Sequence, residues 1–247
     1  MKKNIFMLLV ISSSFCQCSK DSASAKFGAG SGQGGSLARF AIAGNYLYTV
    51  DDKKLTVYDL TTAGNPVLKN TVTIGFEIET IFPFQEKLFI GSTSQVYIFS
   101  ITDPLNPQKL GEAISPQVLR RCDPVVAKDT VAFATLRTNG PCGGMQSMLA
   151  VYDIKDITKP VQKATYPVQE PYGLGYQDNT LFVCDKSGLL IFDITNAYAP
   201  LLKKALKDGD YIDVIPYQRT LICWVTGGVV VYDITNGQNP VLLSKIM

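Results

Sequence analysis

Histidine is absent from all 247 residues. That removes the usual general base, the usual zinc ligand, and any Ser-His or Cys-His nucleophile pair. Carboxylates, Lys and Tyr can still do acid/base work, so catalysis is narrowed and not excluded. Charge is also sparse, at 18% of residues with a formal net charge of +2, and basic residues cluster only around Lys203 to Lys207. Without a basic stripe, nucleic acid is not an expected partner. Helical periodicity is missing beyond the N-terminus, and prolines are spread through the chain, which argues against a helical repeat. A bilayer-spanning run is missing too. The longest N-terminal apolar stretch, Ile5 to Ser14, is well short of the roughly 20 residues a transmembrane helix needs.

What is present starts with that stretch. Lys2 and Lys3 precede it, and it ends at Phe15-Cys16-Gln17-Cys18-Ser19-Lys20-Asp21, the layout of a cleavable export signal. A cysteine directly after a short apolar region resembles a bacterial lipoprotein signal. Cys18 is the expected lipidation site in preference to Cys16, because bulky Phe15 suits a small-residue cleavage pocket badly. An ordinary signal without lipid is the alternative. Residues 1–17 are therefore expected to be the signal. Residues 18–35, with a Gly-rich tract from Gly28 to Gly35, are expected to be a lipidated tether with little to bury.

From residue 36 onward one pattern occurs five times: an apolar strand ending at Asp, a polar turn, and Pro seven residues after the Asp position. The pairs are Asp59 and Pro66, Ser100 and Pro107, Asp153 and Pro160, Asp193 and Pro200, and Asp233 and Pro240. The copies are spaced by 41, 53, 40 and 40 residues, a period that fits a four-stranded propeller blade. In the first unit the strands are expected at 38–43, 46–50, 55–60 and 67–74, with turn residues between them. The third strands, such as Leu189-Leu190-Ile191-Phe192, are apolar at consecutive positions, as required of a strand covered on both faces. The expected fold is all-β: a five-bladed β-propeller of four-stranded antiparallel blades over residues 36–247. The recurring Asp is expected to accept hydrogen bonds from turn amides, a scaffold task. The ring closes either by blades one and five packing together or by residues 28–36 adding a strand.

The Leu-x-Val-Tyr-Asp-Ile-Thr pattern followed by Asn-x-x-Asn-Pro resembles the LVIVD-repeat proteins, bacterial propellers often found as lipoproteins. The resemblance covers residues 36–247, with Ser100 and Lys155 departing from the pattern. It implies a fold and a lipoprotein's envelope address, and no agreed reaction; the outer membrane is the expected place, on its periplasmic or its surface face.

Departures from the repeat are where function is sought. Counted from Val131, the third unit has 22 residues to its Asp against 12 in the others, an insertion of ten around Leu136 to Met145. Cys142 lies in it, and Cys122 sits at the start of the same blade's inner strand. The two either pair in an oxidising compartment, with the resemblance supporting the pair, or remain free thiols. Pairing would add about 3 kcal/mol in the chain-entropy model. Cys184, Cys223 and the single Trp224 are expected in the core.

Eight residues before each second-strand anchor lie Arg39, Thr80, Asp123, Gly173 and Asp213, with Glu77, Glu79, Arg120, Arg121, Tyr172, Asp210 and Tyr211 nearby. These are expected at one mouth of the central channel, either as a ligand site or as a solvated rim. Arg39, Glu79, Arg121, Asp123, Tyr172, Tyr211 and Asp213 are the candidate ligand-binding residues. The favoured expectation is a non-enzymatic binding module, without a cofactor, for an envelope or extracellular protein, peptide or polar ligand. The alternative is a metal-assisted hydrolase or lyase with Glu79, Asp123 and Asp213 holding Ca²⁺.

Overall fold

The computed structural model describes residues 34–62, 64–93, 95–114, 122–137 and 147–247. Cys18, Arg120, Arg121, Cys142 and the segment 1–33 lie outside them. Twenty strands form five antiparallel sheets, and among the described residues there is no helix. Blade one is β1 (Phe40–Ala43), β2 (Tyr46–Val50), β3 (Lys54–Asp59) and β4 (Val67–Thr73). Blade two is β5 (Ile78–Phe84), β6 (Lys87–Ser92), β7 (Gln95–Ser100) and β8 (Gln108–Ile114). Blade three is β9 (Cys122–Lys128), β10 (Val131–Leu136), β11 (Met148–Asp153) and β12 (Val161–Pro167). Blade four is β13 (Leu174–Gln177), β14 (Thr180–Asp185), β15 (Gly188–Asp193) and β16 (Leu201–Leu206). Blade five is β17 (Tyr211–Tyr217), β18 (Thr220–Val225), β19 (Gly228–Asp233) and β20 (Val241–Ile246). Each sheet uses four consecutive strands, so no strand is exchanged between blades.

The Asp punctuation acts as expected. The carboxylates of Asp59, Asp153, Asp193 and Asp233 accept the amide two residues on, at 2.8, 3.0, 2.9 and 2.7 Å. Ser100 does the same through its hydroxyl at 3.2 Å. Each turn leads to a bulge between third and fourth strands, for example between Ile191 and Phe192, which adds local twist. Structural register corrects one count. Val131 pairs with Asp153, whereas Tyr46, Lys87, Thr180 and Thr220 pair with the Asp position in the other blades. Those residues lie 13 before it, so the third-blade insertion is nine residues, 22 minus 13. The same shift makes Pro124, not Asp123, the counterpart of Asp213.

Four apolar cores join neighbouring blades. One lies between blades one and two, one between two and three, one between three and four, and one between four and five. Burial follows from this. β7, β11 and β15 are buried at consecutive positions, whereas β3 and β19 alternate. The outward faces of blades one and five look onto a cleft of about 780 Å³. Phe40, Ile42 and Trp224 line it, at 58%, 51% and 55% exposure. Trp224 is thus not a core residue, because no blade covers its face. Nor do blades one and five share an apolar core among the described residues. What joins them is the entering segment, which reaches across to Asp213 at the inner edge of the ring.

Candidate functional site

Antiparallel blades place two sets of loops at opposite ends of the channel. At one end the inner strands begin, and there β10 ends and β11 starts, the two strands that flank the nine-residue insertion in the sequence. At the other end are the hairpin turns that join the inner strand of each blade to the second.

The first end holds the described residues among the candidates named from the sequence. Arg39 is exposed, yet its guanidinium donates to the carbonyls of Ile78 (2.9 Å) and Glu79 (3.2 Å), tying blade one to blade two. Glu79 is half-buried, and Thr80 is buried with its hydroxyl lacking a partner among the described residues. Asp123 lies in β9, and Arg121 falls outside the described residues. Tyr172 is the centre of a polar cluster. Arg137 donates to its hydroxyl at 2.9 Å and carries its guanidinium over the ring at 4.0 Å from the centroid. Glu170 pairs with Arg137 at 3.7 Å and with Lys186 at 2.8 Å. The Lys186 hydrogen bond holds the Glu170 carboxyl below its usual range, and Glu170 raises Lys186 in return. Arg137 is the last described residue before the insertion, so this cluster stands beside the part of the chain that breaks the repeat. Sequence spacing found Tyr172 and missed Arg137, Glu170 and Lys186, which sit on loops outside the inner strands.

Asp213 is not open at the mouth: it is 8% exposed. Its carboxylate accepts from the Ser36 hydroxyl and the Leu37 amide, each at 3.2 Å, and from its own neighbour Val214 at 2.9 Å. Ser36 in turn accepts the Leu174 amide at 2.7 Å, so one hydroxyl links blades four and five to the segment entering blade one. A Cβ at Gly35 or Gly173 would collide with this carboxylate, so the close approach needs glycine at both places. Burial pushes Asp213 up to about 6, against the pull of these donors. A carboxylate ringed by donors is held as an anion or an acid. It is not presented as a cation ligand, and among the described residues no three acidic or thiol groups cluster to hold a metal.

Tyr211 turns away from the channel. A bulge between Tyr211 and Asp213 sends its ring into the core between blades four and five. There its hydroxyl donates to Asp208 at 2.6 Å and meets the Tyr232 hydroxyl at 2.6 Å, while Tyr232 donates to Asp208 at 2.9 Å. Cys184 and Cys223 are buried free thiols. Burial raises the first well above its ordinary value and the second to about 12, so neither is a poised nucleophile.

The opposite end has a cavity of about 440 Å³ that sequence reasoning did not single out. Phe82, Tyr176 and Tyr217 line it from blades two, four and five. The turn residues Asp129, Asp178 and Gln218 stand at its rim, with positive φ of 52°, 51° and 54°. Ser36 lies at its inner end. The available signal was the set of polar turn residues between first and second strands, which read as ordinary hairpin chemistry.

Residues 34–74, blade one with its entering segment, match the family model described as the LVIVD repeat. No curated protein matches the sequence. Among solved structures, the periplasmic gluconolactonase PpgL of Pseudomonas aeruginosa is similar, with TM-score 0.65 and 12% identity over 84% of this chain and 69% of that one. The computationally designed protein Ika8 gives 0.58 and 14%, covering 88% of this chain and 63% of its own. BamB from Moraxella catarrhalis gives 0.53 and 8%, covering 84% and 59%. At such identities the likeness is one of fold. The chain spans less than two thirds of the length of Ika8 and of BamB.

Proposed function

We propose that this five-bladed propeller, which carries the LVIVD repeat, is a non-enzymatic recognition module for a protein or peptide. In this reading a lipid on Cys18 holds it at a bacterial envelope, at the outer membrane. Its recognition face is the end of the channel where the inner strands begin. The observation that carries the proposal is the half-buried cluster of Arg137, Glu170 and Tyr172 with exposed Lys186, next along the chain to the one insertion in an otherwise regular repeat. An Arg stacked on Tyr with flanking charges is the kind of anchor that dominates protein interfaces. The reactive groups at the centre of the ring support the same reading, because they are spent on structure. Asp213 closes the ring, the Tyr211 and Tyr232 hydroxyls hold Asp208, and both described thiols are buried. A metal-assisted hydrolase would need Asp213 as an oxygen ligand, and its oxygens already face donors. The fold itself does not choose between roles, since PpgL is by name a lactonase on a similar scaffold.

The test is affinity capture from envelope extracts with the immobilised protein. A partner held by the wild type should be lost with Arg137→Ala and Glu170→Lys and kept with Tyr217→Ala at the opposite end. Equal capture by all variants sinks the proposed face. In parallel, palmitate labelling should disappear in Cys18→Ser and persist in Cys16→Ser.

A further inference from the structure

We propose that the cavity at the hairpin-turn end of the channel binds a neutral saccharide of one or two rings. It lies at the opposite end from the recognition face above and does not depend on it.

The wall supplies the first reason. Phe82 and Tyr176 are half-buried and Tyr217 is 44% exposed, and all three line the cavity. They come from three different blades, and none of them stacks on another aromatic ring among the described residues. An aromatic face carries partial negative charge and attracts the weakly positive C–H faces of a pyranose. Three such faces around one space suit a flat, C–H-bearing ring.

The rim supplies the second. The Asp178 carboxylate makes no hydrogen bond or ion pair among the described residues. The Tyr176 hydroxyl is likewise without a hydrogen-bond partner among them, and the Gln218 side chain joins them at the rim. Burial, with the charge of Asp129 adding to it, raises Tyr176 to about 12, so its hydroxyl stays protonated and can donate. Carboxylate, amide and phenol offer both acceptors and donors, which is what a ring of sugar hydroxyls requires.

Charge supplies the third. Lys128 is the one cation lining this cavity among the described residues, and Asp129 neutralises it at 2.7 Å. Asp178 then leaves the rim slightly negative, which disfavours phosphate or carboxylate ligands. The volume of about 440 Å³ lies within the range of small-ligand pockets. At its inner end Ser36 is fixed to Leu174 and Asp213, so the entering chain crosses the channel there and the cavity is a cup.

The experiment is calorimetric titration of the full chain with D-glucose, D-galactose, N-acetylglucosamine and cellobiose. At least one should give a saturable isotherm. Tyr217→Ala and Asp178→Asn should each weaken it by about tenfold, while Arg137→Ala leaves it unchanged. Both cavity residues are exposed, so thermal melts of these variants should match the wild type and keep the comparison valid. No saturable isotherm with any of the four sugars, or one that survives both cavity substitutions, overturns the proposal.

Discussion

Asp213 and Asp193 are the same side chain under opposite conditions. Burial lifts Asp213 from 3.8 to about 6. Hydrogen bonds from Thr195 hold Asp193 near 2, helped by Gln238 and the charge of Lys203. A carboxyl that binds its proton more tightly when folded contributes stability that is complete below pH 3.8 and lost as pH rises through about 6. For Asp213 that amounts to about 3 kcal/mol, at 1.36 kcal/mol per unit. Asp193 and the other depressed repeat carboxylates act in reverse, with a contribution present above pH 3.8 and lost as pH falls through about 2. Thermal melts should therefore peak near pH 4 to 5. Asp213→Asn should flatten the decline from pH 4 to 6 and leave the acid limb in place. An unaltered slope in that window would show that Asp213 does not titrate there.

At the scale of strands and turns, the repeat predicts its own weak copy. Asp193 bonds Thr195 at 2.9 Å and pairs with Lys203 at 3.5 Å, whereas Ser100 makes only a 3.2 Å bond to the Thr102 amide and a contact with its hydroxyl. Asp193→Ala should lower the melting temperature more than Ser100→Ala, and equal effects would mean the turn does not depend on the carboxylate. Blade count, strand order and the Asp turns were legible in sequence because hairpins and period are encoded locally. The candidate site was legible only in part. Bulges at Ile78/Thr80, Ala134/Leu136 and Tyr211/Asp213 reset which way inner-strand side chains point, and no periodic count sees them. That is why Tyr211 moved into a core, whereas Asp123 lost its equivalence to Asp213 because Val131 itself pairs with the Asp position of its blade. The turn-end cavity escaped notice for a related reason, since Asp129 and Asp178 look like routine turn residues until the ring gathers them.

For the whole molecule, stability is a chain of neighbour contacts in which the terminal blades each lack one. Blades two to four are covered on both faces, and blades one and five on one. Amides of β2, β3, β18 and β19 should exchange with deuterium before those of β6, β7, β10, β11, β14 and β15. Trp224, the single tryptophan, reports the same asymmetry. Its 55% exposure predicts red-shifted emission that acrylamide quenches strongly, and a blue-shifted, protected indole would show the cleft to be covered.

The joint at Asp213 is made by two donors of the entering segment and two glycines, with no interleaved strand. Such a clasp fixes the inner circumference but does not count the blades around it. Tandem duplication of one unit of about 40 residues at this joint would split no existing core, whereas the same event elsewhere would split the one shared by the two blades it parts. The seam is therefore the natural growth point of the scaffold, where a gene could lengthen the wheel by one spoke at a time.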